Sequence, residues 1–266
     1  MLRTPIPSID IHTHLFPERL SNAVRAALNE MYGWTFNLPD APDEFAAFER
    51  SRNVERFCVL PYAHKPGMAR SLNEWVARTC STLEGAIAFA CVNQDDDDPV
   101  SVLADAFAMG ARGVKLHHQV QNVAPDDPKL DPIFAFLVEQ DRPLLTHAGR
   151  GPTDSGTVGL EAFARTMERW PALRVCVAHM GTPEIDGFVD LLGRYDKMYL
   201  DTSGLGDGPL QRRWFDEHPD RILFGSDAPN IYGTYDKAIT RITSLGMSES
   251  MERWVFRTNA EEFLEP

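Results

Sequence analysis

Apolar runs of four to eight residues alternate with longer amphipathic stretches along the whole chain. The first run, Ser8 to His14, is β-branched at Ile9, Ile11 and Thr13. Pro17 follows it and opens a helix to about Glu30, where proline's missing N–H costs nothing. Met31 to Pro39 is aromatic and is expected to pack, or to lie as a lid over a pocket. The next strands are expected at Arg56–Tyr62, Ala86–Asn93, Gly113–His118 and Pro143–His147, followed by Leu173–His179, Lys197–Ser203 and Arg221–Asp227. Helices are expected between them at about Asp43–Arg52, Gly67–Leu83, Val100–Met109, Pro128–Glu139, Val158–Trp170, Pro183–Tyr195 and Pro209–His218. Gln119 to Asp127 reads as a polar loop. Tyr235–Leu245, Ser248–Phe256 and Asn259–Leu264 close the chain with helical turns.

Strands rich in Val, Ile, Leu and Cys with crossover helices between them are what a parallel sheet covered on both faces requires. Eight in succession with no linker predict a single-domain (β/α)8 TIM barrel over residues 1–266, near the roughly 250 residues usual for that fold. Hydrophobic content of 43% and charged content of 24% exclude a disordered or fibrous chain. A net charge of −13 disfavours nucleic acid and anionic membrane surfaces as partners. No window approaches the ~20 apolar residues of a membrane span, so a cytoplasmic protein is expected. Cys58, Cys80, Cys91 and Cys176 lack any C-x-x-C spacing and read as buried hydrophobes. The run Asp95–Asp98 precedes Pro99 and reads as a solvated helix cap.

In a barrel of this kind the C-terminal strand ends face one pocket, which gathers scattered residues into a single group. His12 and His14 lie two apart on the first strand and so share a face, with Asp10 on that face deeper in the barrel. Lys115 and His117 end the fourth strand, His147 the fifth and His179 the sixth; Asp201 and Ser203 end the seventh and Asp227 the eighth. Three imidazoles and a carboxylate suit a borderline divalent cation. His12, His14, His147 and Asp227 are therefore the expected metal ligands, with Zn²⁺ the first choice and Mn²⁺ the second. Asp227 doubles as the proton acceptor from a metal-activated water, and His179 polarises a substrate oxygen or protonates a leaving group. Asp201 and Ser203 are expected to hold a neighbouring imidazole in its working tautomer. Lys115, His117, Arg150, Tyr62, His64 and Trp34 are the candidate substrate contacts, with Lys65 and Tyr232 also following strand ends. His118 reads as structural.

The strings Asp10-Ile-His-Thr-His14, Gly113-Val-Lys-Leu-His117, Thr146-His-Ala-Gly149, Ala178-His-Met-Gly181, Leu200-Asp-Thr-Ser-Gly204 and Phe224-Gly-Ser-Asp-Ala-Pro229 resemble the amidohydrolase superfamily. The similarity is to its amidohydrolase 2 branch of TIM-barrel metal-dependent hydrolases, which also holds aminocarboxymuconate semialdehyde decarboxylase and the resorcylate decarboxylases. It runs from about residue 8 to 264, and Arg257-Thr-Asn-Ala-Glu261 is similar to the family's terminal segment. The resemblance implies the same four ligands, with His179 as the strand-six catalytic histidine. It also implies that Lys115 is a further ligand if it is carbamylated, as the strand-four lysine is in two-metal relatives.

Three functions follow as expectations. The first is metal-dependent hydrolysis of a small carboxylic ester, lactone or amide. The alternative is metal-dependent, non-oxidative decarboxylation of an aromatic or unsaturated carboxylic acid; 266 residues is short for such decarboxylases, which favours hydrolysis. The distant third is a non-catalytic scaffold stabilised by its metal. The partner is a small molecule, anionic where Lys115 or Arg150 grips it, and a homodimer is the default assembly.

Overall fold

A computed structural model describes residues 2–150, 158–204, 210–230 and 235–265. Eight parallel strands pair in sequence order: β1 (Ser8–Thr13), β2 (Val54–Val59), β3 (Ala86–Cys91), β4 (Gly113–His117), β5 (Leu144–His147), β6 (Val175–Val177), β7 (Met198–Asp201) and β8 (Ile222–Leu223). The barrel closes through backbone bonds from Ile11 N to Phe224 O (3.1 Å), Asp227 N to His12 O (2.8 Å) and His14 N to Ala228 O (2.7 Å). Around it run α1 (Glu18–Tyr32), α2 (Pro42–Ser51), α3 (Ala69–Thr82), α4 (Pro99–Ala108), α5 (His118–Gln121) and α6 (Asp131–Glu139). They are followed by α7 (Leu160–Arg169), α8 (Ile185–Leu192), α9 (Arg212–Glu217), α10 (Tyr235–Thr243), α11 (Glu249–Arg253) and α12 (Asn259–Leu264). The result is a (β/α)8 TIM barrel, as the alternation predicts. Among the described residues no helix is long and apolar enough to cross a membrane.

The core has two layers. Inside the barrel, Ile9, Ile11, Cys58, Ile87, Phe89, Leu145, Cys176 and Leu223 pack together, and Ala260, Phe263 and Leu264 of α12 join them. Outside, the alternate strand residues Phe57, Val59, Val114, Leu116, Val175 and Leu200 meet the helices. Each large side chain fully removed from water in either layer contributes roughly 1.5–3 kcal/mol. All four cysteines are buried and free. In the acid run only Asp98 caps α4, accepting from Ser101 N; Asp95 pairs with Lys129, and Asp96 accepts from the backbone of Asn93 and Gly67.

Strict alternation fails in β1. Asp10 pairs with Phe57 and Thr13 with Val59, so β1 spends three residues where β2 spends two. This bulge leaves both Asp10 and Thr13 beside outward-facing partners while His12 and His14 turn inward. Asp10 therefore lies on the helix side of the sheet, not deeper in the barrel beneath His12. The last strands are also shorter than expected. β6 stops at Val177, and His179 stands in a tight turn with φ 57°. β8 holds two residues, and Asp227 follows it at φ 69°. β4 ends at His117, one residue before the expected end, and the short helix α5 takes His118 from the expected strand and Gln119–Gln121 from the expected loop.

Candidate metal and catalytic centre

The β1 bulge and the bend after β8 bring three potential ligands together. His12 Nε2 lies 3.1 Å from His14 Nε2, and Asp227 Oδ1 lies 3.5 Å from the first and 3.1 Å from the second. Both rings are held from behind. His14 Nδ1 donates to the Leu60 carbonyl (2.7 Å), and His12 Nδ1 donates to Asp201 Oδ2 (2.9 Å). Each bond puts the ring proton on Nδ1 and leaves the Nε2 lone pair facing Asp227. Burial, followed by the charge of Lys115, pushes the His12 pKa down to about 3, so this ring is neutral. Gly225 leaves the room it needs, because a Cβ there would stand 2.9 Å from the Cβ of His12.

Asp201 is the organiser of the next layer. Fully buried, it accepts from the backbone N–H of His179 (3.1 Å) and of Ser203 (3.0 Å), and from the Ser203 hydroxyl. Burial alone would raise its carboxyl pKa, but the hydrogen bonds from His12 and Ser203 outweigh that and hold it below the usual range. Ser203 Oγ also lies 2.9 Å from His179 Nδ1. With its own proton given to Asp201, the hydroxyl accepts from His179 Nδ1–H, leaving His179 Nε2 as the ring's other working atom. Gly204 packs against this ring so closely that a Cβ would stand 2.4 Å from Nδ1.

The β4 and β5 side is arranged differently. Lys115 is 1% exposed, with Nζ 3.3 Å from His12 Nε2, and burial lowers its pKa to about 8 against the opposing charges of Asp201 and Asp227. His117 and His147 stack, centroids 4.2 Å apart and planes 9° from parallel. His147 also meets His179 edge-on at 4.8 Å. Tyr62 packs edge-on against both His14 (5.6 Å) and His117 (5.4 Å), and burial followed by the Asp227 charge pushes its hydroxyl pKa up. Burial above all, with the Lys115 charge acting in the same direction, holds the His117 and His147 rings well below their usual pKa.

The structure thus joins His12, His14 and Asp227 as donor atoms mutually within 4.8 Å. It places His147 beside this group, not within it. His12, His179 and Asp201 also approach one another, but the Ser203 hydroxyl already lies between them. Lys115, His117 and Tyr62 join the cluster. Arg150 does not: it is half exposed and pairs with Glu184 (3.5 Å). His64 and Lys65 are exposed. Trp34 packs on Tyr32 (4.9 Å), and its carbonyl accepts from Asn29. Tyr232 lies outside the described residues. The Leu60 carbonyl escapes sequence reading because a backbone acceptor has no residue signature. Ser226, whose N–H donates to Asp10 Oδ1, escapes for the same reason.

Known proteins share this architecture. The chain superposes on an uncharacterized TIM-barrel protein from Bordetella bronchiseptica with TM-score 0.79 at 16% identity, covering 97% of this chain and 98% of that one. It superposes on a 2,6-dihydroxybenzoate decarboxylase from Rhizobium with TM-score 0.71 at 19% identity (97% and 98% covered). The third is 5-carboxyvanillate decarboxylase from Novosphingobium aromaticivorans complexed with manganese and 4-hydroxy-3-methoxy-5-nitrobenzoic acid, with TM-score 0.69 at 17% identity (98% and 96% covered). No curated protein is similar enough to the chain to match it. The Amidohydrolase family matches residues 9–265, from the strand that carries His12 and His14 to the end of the last helix, and the chain belongs to that family.

Proposed function

We propose that this protein is a metal-dependent enzyme that removes CO₂ from a small aromatic or unsaturated carboxylic acid. The residues fit a divalent cation. Two imidazole lone pairs and a carboxylate oxygen face one another within 3.5 Å, and the ring protons that could separate them are committed to Asp201 and Leu60. His12, His14 and Asp227 would hold the ion, with His147 the nearest fourth donor; Mn²⁺ and Zn²⁺ both accept such N and O ligands. When bound, the ion supplies Lewis-acid polarisation of a substrate oxygen.

The single observation that carries the reading is Lys115. A buried ammonium beside the three donors gives the pocket floor a positive seat that suits a substrate carboxylate. His179, held through Ser203, offers Nε2 to the substrate and can protonate the carbon from which CO₂ departs. Decarboxylases of aromatic acids share the fold, one of them with manganese bound, and nearly their whole length superposes on this chain, so its length does not favour hydrolysis.

Hydrolysis of an ester, lactone or amide is the second reading, favoured by Asp227. Burial would raise its carboxyl pKa, but the surrounding imidazoles of His14, His12 and His179 outweigh that and hold it below the ordinary range. It is therefore ionised and able to accept a proton from water. The test is to load the protein with Mn²⁺ or Zn²⁺, supply panels of hydroxybenzoates, lactones and esters, and follow CO₂ against acid release in ¹⁸O water. CO₂ release with no ¹⁸O in the organic product supports decarboxylation; ¹⁸O-labelled acid without CO₂ replaces it with hydrolysis.

A further inference from the structure

Behind β1, on the face opposite the imidazoles, three buried oxygen groups meet. Tyr235 Oη at the start of α10 lies 3.0 Å from Asp10 Oδ2 and 2.7 Å from Glu49 Oε2 of α2. One phenolic proton cannot serve two carboxylates. Asp10 Oδ1 already accepts two backbone N–H groups, from His12 (3.1 Å) and Ser226 (3.0 Å), which leaves its Oδ2 as the acceptor for the phenol proton. Glu49 Oε2 then faces the phenol oxygen, and that contact attracts only if Glu49 is the donor.

A second observation agrees. Glu49 Oε1 is buried and has no hydrogen-bond partner among the described residues, which a neutral acid's carbonyl oxygen tolerates far better than a charged carboxylate does. Arg52 lies over the Phe48 and Tyr235 rings and donates to the Leu2 carbonyl and to Asp236; its charge acts on Glu49 in the opposite direction without outweighing burial. Burial and the Asp10 charge also push the Glu49 carboxyl up.

The chain of bonds ends on the candidate metal centre. One oxygen of Asp10 ties the backbone of His12 to that of Ser226, the residue before Asp227, and Asp227 N donates back to His12 O (2.8 Å). We propose that Glu49, as a neutral acid, and Tyr235 are positioning residues whose hydrogen bonds orient Asp10 and thereby set the separation of the β1 and β8 backbones carrying His12 and Asp227. That these two residues hold a metal rests on the functional reading above; the orienting role does not.

Two measurements on the full chain test it. In the metal-free protein, ¹⁵N-edited NMR of Y235F should show both the His12 and Ser226 amides displaced, while E49Q, whose amide can still donate to the phenol, leaves them in place. In Mn²⁺ competition against a chelator, Y235F and E49A should each bind about tenfold more weakly than wild type, with E49Q within about twofold of wild type and equally resistant to heat. Unmoved amides in Y235F, or E49Q behaving like E49A in either measurement, overturns the proposal. If wild-type protein binds no Mn²⁺ or Zn²⁺, the metal reading falls and the amide shifts still decide the positioning role.

Discussion

The two sides of the barrel mouth carry similar residues and hold them in different ways. On the β1 and β8 side, His12 and His14 each give their Nδ1 proton to a fixed acceptor, and their other nitrogens meet Asp227 within 3.5 Å. On the β4 and β5 side, His117 and His147 lie face to face at 4.2 Å; His117 Nδ1 accepts only a long bond from Val120 N (3.4 Å), and His147 is packed between the His117 and His179 rings. A hydrogen bond fixes which nitrogen is free and where it points, whereas stacking fixes only the plane. The first side is set for a metal ion before one arrives; on the second, His147 is positioned chiefly by its ring contacts.

The largest effect expected from this difference is in metal affinity. Replacing a pre-aimed donor, H12A or D227A, should abolish stoichiometric Mn²⁺ or Zn²⁺ binding by calorimetry and with it all turnover. H147A should weaken binding and leave it measurable. Chelator treatment of the wild type should lower its melting temperature, because an ion bound only by the folded state stabilises that state. If H147A loses metal as completely as H12A, the two sides are equivalent and the comparison fails.

A smaller effect is expected one layer back. D201N keeps the size of the side chain but removes its charge, and should cost about 10–100-fold in metal affinity. It also carries a pH signature. The Asp201 carboxyl is held below its ordinary 3.8 in the folded protein, so the unfolded chain takes up this proton first as pH falls. Its contribution to stability is therefore full above about pH 4 and is lost as pH drops through the folded value. Thermal melts of metal-free wild type and D201N should differ most near pH 7 and converge below pH 4. A gap that stays constant to pH 3 would show that Asp201 does not stabilise the fold through its charge.

Much of this contrast was legible in the chain and some was not, for definite reasons. His12 and His14 announce themselves as an H-x-H pair in an apolar run, and Lys115, His147, His179 and Asp227 as polar residues at the ends of strands that should otherwise be buried. Alternation then misplaces Asp10, because a one-residue bulge reverses every face before it and leaves no mark in composition. It also overruns β6 and β8. His179 and Asp227 occupy left-handed backbone, held there by the Asp201 carboxylate on the His179 N–H and by the His12 carbonyl on the Asp227 N–H. Those restraints come from residues 22 and 215 positions away, so no local pattern reveals them.

The smallest expected effect concerns the one cation that sequence position places beside His147. Arg150 follows β5 directly, yet its Nε faces Glu184 Oε2 at 3.5 Å, and the same carboxylate oxygen accepts from Leu160 N at the start of α7 (3.0 Å). An exposed pair of this kind contributes little to stability, about 0–1 kcal/mol. R150A should therefore leave the melting temperature nearly unchanged and kcat/KM for a carboxylate substrate within about twofold of wild type, a difference worth about 0.4 kcal/mol. K115M, which removes the buried charge while keeping an unbranched apolar stem, should raise KM at least tenfold for the same substrate. If R150A raises KM tenfold with kcat intact and K115M does not, the carboxylate is gripped at the rim beyond β5. The buried lysine would then serve the imidazoles rather than the substrate, and the β4 and β5 side of the mouth would be the one that selects what binds.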